Sequence, residues 1–455
     1  MMKRNATVSI ALATILGLTA CQSGNSEPKG TGESAPTASG KVQETTLKVS
    51  YFKGGFGEEW IKQSAAAFEK AHPGVTVQLE GDPGITEKMG PRLESGANLP
   101  DVAFVLRTGW QRWAIKGYLA DLSDIYAAEI DNGKTLKDKL QPGIADYGQI
   151  QSKYWVVPWT DGATGLVYNA QMFEDNGWSV PTTTKELEDL LPKIKEKGIA
   201  PFAWGGKVMS YWDFPVVGWW AQYEGTEGME TYKKMESPDV YGEQGRLKAL
   251  EEFEKLIMDE SNSIQGAAAM DHIQSQMAFL QGKAAIIPNG GWIETEMKNS
   301  APAGFRMKMM QLPAIEGAKD AKVNNTMGGD FAIVPAKAKN AELGKEFLKF
   351  ISTDEMLKLF TEKTGSVRPF VYDAGSVPGL SEFSKSVIDI WQNSKNLYLY
   401  SENPIYYSKF YDWPLAGAPY MMIYQGDETA KSAFEGNWSY AKENWDSVKA
   451  DLGIK

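Results

Sequence analysis

One cysteine, two histidines and no surplus of positive charge set the first limits on this chain of 455 residues. With Cys21 alone, no internal disulfide can close, and Cys/His metal sites lack their ligands. A Ser-His-Asp triad would need His72 or His272. His72 ends a helical stretch before Pro73, and His272 lies in another with no Cys or His near it. No G-x-S-x-G elbow, H-E-x-x-H pair or EF-hand loop is present. Gly133-Lys134-Thr135 echoes the end of a phosphate loop, but Ala128 stands where that loop needs glycine. Lys and Arg number 47 against 58 Asp and Glu, a formal charge of −11, and no basic block occurs. Nucleic acid is therefore a poor partner. No apolar run is long enough to span a bilayer.

What is present begins with an address. Lys3 and Arg4 precede an apolar stretch from about Ala6 to Leu18, closed by Leu18-Thr19-Ala20-Cys21. A basic start, a short apolar run and small residues before a cut site describe an export signal. The Leu-Thr-Ala-Cys box resembles the bacterial lipoprotein signal, in which the cysteine is lipidated and becomes the mature N-terminus. Residues 22–46 are rich in Ser, Gly, Thr, Glu, Pro and Lys, which cannot bury enough surface to fold and read as a tether. Cleavage before Cys21 removes Lys3 and Arg4 and no acid, taking −11 to −13.

The body reads as alternating strands and helices. Leu47–Tyr51 alternates like a half-buried strand, and Glu58 to Ala71 carries Trp60, Ile61, Ala65 and Phe68 on one helical face, stopped by Pro73-Gly74. Val75–Glu80, Asp101–Leu106, Leu166–Tyr168, 284–288 and 331–335 read as further strands. A helix is expected from a Thr184 cap through Ile194, kinked or shortened at Pro192, and a long one over Leu343–Glu362. Such units predict an α/β fold with mainly parallel sheets covered by helices.

Aromatic residues make up 11% of the chain, including 15 Trp, and they cluster. Residues 202–223 hold eight and residues 398–424 hold nine. Flat side chains with polar tips suit sites that are half apolar and half wet. A sugar ring offers a C–H face for stacking and a rim of hydroxyls for Asp, Asn, Lys or Arg. Trp110, Trp159, Tyr211, Trp212, Trp292 and Trp413 lie in loop contexts that suit such a site, whereas Trp391, Trp438 and Trp445 follow helical patterns and read as packing. Asp161, Asp213, Asp330 and Asp412 also stand in loops, so a glycosidase working with two carboxylates remains open at this point.

Several stretches together resemble the extracellular solute-binding proteins of ABC importers, specifically the sugar-binding family that includes the maltose-binding proteins. They are Leu99-Pro100-Asp101-Val102, Tyr154–Pro158 followed by Gly165–Asn169, Trp178–Leu187, Phe279–Ala285 through Gly290-Gly291-Trp292, and Gly328-Gly329-Asp330. One departure is Thr183, where the family often has Trp. The resemblance covers residues 46–453. It implies two α/β lobes of the periplasmic-binding-protein type II fold, joined by a hinge that closes on a ligand.

Carried over by position, the resemblance implies ligand-binding roles for Lys53, Gly54, Arg107, Trp110, Trp159, Asp161, Tyr211, Trp212, Trp292, Gly329, Asp330, Tyr411 and Trp413, with Thr108 beside them. A charged ligand would need Arg107, Lys53 or Arg368 facing inward. The expected layout is a signal peptide over 1–20, a tether over 21–45, a first lobe from 46–158 and 304–345, and a second from 159–303 and 346–455. The expected product is a monomeric lipoprotein on the outer face of a membrane, held by lipid on Cys21. It would bind an oligosaccharide without cofactor, metal or catalysis and deliver it to permease subunits. The alternatives are a receptor of the same fold for a uronate or peptide, or a tethered glycoside hydrolase.

Overall fold

The computed structural model describes residues 44–106, 109–131, 133–144, 147–326, 330–399 and 418–452. Cys21, Arg107, Thr108, Gly329, Tyr411 and Trp413 lie outside the described residues.

The alternation at the start of the body does what its pattern dictates. Thr45–Phe52 (β1) buries Leu47, Val49 and Tyr51 and pairs in parallel with Val75–Asp82 (β2), from Thr45↔Val75 to Phe52↔Asp82. Between them Glu59–Ala71 (α1) lays Trp60, Ile61, Ala65 and Phe68 into the core. Ile85–Ser95 (α2) leads to Val102–Val105 (β3), which is buried along its whole length and parallel to β1. Trp110–Ile115 (α3) follows, and Val157–Pro158 (β4) is the last strand before the chain leaves this lobe.

The second lobe is built around Thr164–Asn169 (β5), in which all six residues are buried. Thr184–Lys195 (α4), Ala200–Phe202 (β6), Asp213–Gly228 (α5), Gln244–Ile257 (α6) and Ala284–Gly290 (β7) come next. The single turn Ile293–Glu296 (α7) and the strands Met307–Met310 (β8) and Val323–Asn325 (β9) complete this passage. The sheet order is β6-β7-β5-β8, with β6 and β7 parallel and β5 antiparallel to both neighbours. Strands covered on both faces read as near-continuous apolar runs, and Ala284–Pro288 is one.

Phe331–Ile333 (β10) returns to the first sheet and slots between β3 and β4, giving the order β2-β1-β3-β10-β4. Ala341–Phe350 (α8) and Asp354–Thr364 (α9) bury Phe347, Leu348, Leu357 and Phe360 in the first core. Glu382–Asn393 (α10), Lys395–Leu397 (β11), Ala418–Gln425 (α11) and Ala430–Leu452 (α12) belong with the second.

Two lobes, each with its own sheet and core, match the expected architecture, and three details differ. The second lobe keeps the chain beyond residue 304, because Met309 pairs with Val167 in β5. The first lobe in turn keeps α8 and α9, past 346. Among the described residues the chain therefore crosses at 159–163 and 365–381, and it leaves the second lobe at Thr326 and is back in the first at Asp330. The expected helix over Leu343–Glu362 is two helices, because Ser352 Oγ bonds back to Leu348 O (2.8 Å) and Thr353 is extended at φ −70°, ψ 154°. At the start of α4 the cap is Thr183, whose side chain accepts from Glu186 N, and Pro192 stays inside the helix on its exposed side.

Candidate functional site

The crossings are bonded side by side. Trp159 N donates to Asp330 O (3.1 Å), Asp161 N to Val367 O (3.0 Å), and Ser366 Oγ to Asp161 O (3.1 Å). The carboxyl ends of β1 and β3 lie at the edge of the first sheet from which β4 runs into the crossing. In open α/β sheets, ligands sit outside this edge.

The loop 53–57 after β1 reaches the second lobe. A Cβ at Gly55 would lie 3.1 Å from Trp292 Cβ, a crowded contact that glycine avoids. Thr295 Oγ1, one turn further, donates to Thr364 O of the first lobe (2.7 Å). The indole of Trp292 folds back over Gly290, where a Cβ would fall 1.7 Å from Cζ3. Around it stand Phe214, edge-on at 5.6 Å and 75°, and Tyr211, edge-on at 6.0 Å and 80°. Tyr211 and Phe214 are themselves 5.2 Å apart. Tyr211 is next to last in a 3-10 stretch and Phe214 is second in α5, so an i,i+3 spacing puts both rings on one side. Trp212, between them, points the other way.

Charge at this junction is largely neutralised. Lys53 pairs with Glu58 (2.9 Å), which also accepts from Lys62 (2.8 Å) and from Tyr51 OH (3.0 Å). These bonds hold Glu58 down at about 2, and burial followed by the Glu58 bond pushes Tyr51 up to about 12. In the crossing, burial pushes Asp161 up to about 6, opposed by bonds from Trp391 Nε1 (2.8 Å) and Gly162 N (2.8 Å), with the hydroxyls of Thr326 and Tyr398 facing it. Arg368 is buried beside it and donates to the carbonyls of Trp159 and Ile351, the latter at the C-terminal end of α8. Among the described residues no group of three or more His, Cys, Asp or Glu gathers to hold a metal, and no helix is long and apolar enough to cross a membrane.

Residues 56–358 of this chain match the family model described as bacterial extracellular solute-binding protein. The chain belongs to that family. This solute-binding protein is 27% identical over 361 residues to a diacetylchitobiose binding protein, NgcE, of Streptomyces coelicolor, covering 75% of each chain. It is 23% identical over 314 residues to a multiple sugar-binding protein of Streptococcus mutans, covering 67% of this chain and 71% of that one. Among solved structures, the GacH receptor of Streptomyces glaucescens superposes with a TM-score of 0.69 at 20% identity, over 88% of this chain and 98% of that one. A chain from work on xylan utilization by Caldanaerobius polysaccharolyticus superposes at 0.71 and 16% identity, covering 87% and 100%. These likenesses are of fold.

The structure brings together only part of the expected set. Gly54, beside the loop apex, is packed against the Phe52 ring, which leaves no room for a Cβ. Lys53, Gly54, Tyr211 and Trp292 lie on the segments that meet between the lobes. Trp292 is itself buried against the first core, and Trp110, Trp159 and Trp212 are buried completely in cores. Trp110 Nε1 donates to Tyr147 OH (2.9 Å) and Trp159 Nε1 to Val105 O (3.0 Å), while Trp212 sits between Phe202 and Phe253. Asp161 and Asp330 are buried in the crossings. Sequence reasoning did not single out Phe214, although its spacing from Tyr211 carried the signal. Asp213, read from the sequence as a loop carboxylate, instead opens α5, where it is buried and accepts from Tyr420 OH (2.7 Å).

Proposed function

We propose that this solute-binding protein captures a neutral oligosaccharide between its lobes, without cleaving it, and delivers it to the permease of an ABC importer. It does so as a monomer held at the outer face of a membrane by lipid on Cys21. The observation that carries the reading is the three-ring cluster of Tyr211, Phe214 and Trp292, set where a loop of the first lobe meets the second. Aromatic faces stack on the C–H faces of sugar rings, and Tyr and Trp tips reach the hydroxyl rim. The names of NgcE and of the Streptococcus mutans relative, which refer to diacetylchitobiose and to multiple sugars, support a saccharide.

Two of the three candidate cations, Lys53 and Arg368, support a neutral ligand. Lys53 is already paired with Glu58, and Arg368 is buried in the hinge, where it donates to two backbone carbonyls. The test is intrinsic Trp fluorescence of the full chain, titrated with a panel of mono- and oligosaccharides. A saturable change with one oligosaccharide series, and the sugar recovered uncut, is expected. A flat response to the panel, or cleaved product, contradicts the reading. Cys21→Ser is expected to release the protein from membranes with affinity intact, checked by fractionation.

A further inference from the structure

We propose that Arg112 and Asp451 form a latch between the lobes that sets how long they stay closed, and with it the affinity for whatever the cleft holds. This goes beyond the sugar reading and rests on it only in that closure retains the ligand. Arg112 is on α3 of the first lobe, which Trp110 and Ala114 fix in the core. Asp451 is near the end of α12, which Trp445 and Val448 anchor in the core of the second lobe. The guanidinium spans the gap: Nε donates to Asp451 O (3.1 Å), and Nη2 donates both to that carbonyl (2.7 Å) and to Oδ2 (2.7 Å).

Two acceptors on one residue fit the guanidinium fork. The carbonyl belongs to the last turn of a 23-residue helix, where carbonyls lack intrahelical partners and the helix is electrically negative. Every other ion pair between described residues stays within one lobe. The Arg112 side chain remains 44% exposed, so the contact faces water and is open to salt screening. Neither group touches the Tyr211–Phe214–Trp292 cluster, so the latch acts on closure without choosing the ligand.

The test is single-molecule energy transfer on the ligand-free full chain, carrying Cys21→Ser, with dyes at Lys70→Cys in the first lobe and Lys197→Cys in the second. Arg112→Ala is expected to lower the ratio of closed to open molecules roughly two- to fivefold, the range for an exposed pair aided by a helix terminus. Asp451→Asn, which keeps the carbonyl, is expected to shift it less. Raising NaCl from about 0.05 M to about 0.5 M is expected to open the parent and leave Arg112→Ala unchanged. An equal ratio in parent and folded Arg112→Ala overturns the latch. So does a parent indifferent to salt, a measurement that needs no variant. No sugar is used, so the result is independent of the ligand reading.

Discussion

Gly290→Ala tests the geometry of the aromatic cluster with a single methyl group. The added Cβ would fall 1.7 Å from Trp292 Cζ3 and 2.2 Å from Cη2. Carbon atoms pack at about 3.5–4.0 Å, so something must move by about 2 Å. The backbone is held, because Gly290 pairs with Thr164 across the second sheet. The indole therefore swings away and gives up its edge contacts with Tyr211 and Phe214. Each such pair contributes about 0.5–1.5 kcal/mol, so about 1–3 kcal/mol of the platform is lost. Read as affinity, that is roughly five- to 150-fold in Kd. The fold should survive, with overpacking costing about 1–3 kcal/mol of stability. Calorimetric titration with the best-binding oligosaccharide, beside thermal melting, measures both. Gly436→Ala is the control: no atom lies within 4 Å of its Cβ, and it stands inside α12. It should gain about 0.5–1 kcal/mol of stability and leave binding unchanged. Parent affinity in Gly290→Ala would refute the placement of Trp292 as a platform.

Neighbouring aromatics should separate by role. Trp212→Ala is expected to cost about 3–5 kcal/mol of stability in urea unfolding, because its ring is wholly buried against Phe202 and Phe253. Tyr211→Ala should instead weaken binding by about 1–3 kcal/mol with a small stability change, and a reversal of the two would count against the assignment. Asp161 gives a pH signature. Its carboxyl sits at about 6 when folded and near 4 when unfolded, so the folded state binds more protons between those values. Its contribution is greatest below about pH 4 and falls as pH rises through 6, by roughly 3 kcal/mol. Asp161→Asn should abolish that fall in a profile of melting temperature against pH. Below about pH 4.5 Glu58 acts in the opposite sense, since it is held near 2 and loses its bonds as it is protonated.

Periodicity made the first lobe legible. The face of Trp60, Ile61, Ala65 and Phe68 and the alternation of β1 are direct consequences of helix and strand repeat. The break at Ser352-Thr353 was written in hydroxyl side chains that compete for backbone carbonyls, but a continuous apolar stripe from Phe347 to Phe360 hid it. The crossings were harder. Met307–Met310 reads as a strand for either lobe, and only its pairing with β5 decides. The same limit applied to the tryptophans. Composition shows that Trp110, Trp159, Trp212 and Trp292 are large and amphipathic, not which way each ring turns. Trp292 ends beside the first lobe because Gly290 and Gly55 make space on both sides, a signal present in the Gly-Gly-Trp sequence. Trp159 stacks on Trp60 at 5.4 Å inside a core whose other half comes from residues far along the chain.

The central claim is that a sugar is held against Trp292 between closing lobes, and calorimetric titration of the full chain and of Trp292→Ala tests it most directly. The parent is expected to bind one oligosaccharide at one site with a negative heat-capacity change, as apolar surface is buried. Trp292→Ala should bind the same sugar about tenfold or more weaker while melting cooperatively. Equal affinity in the two proteins, or no saccharide bound by the parent, would contradict the account.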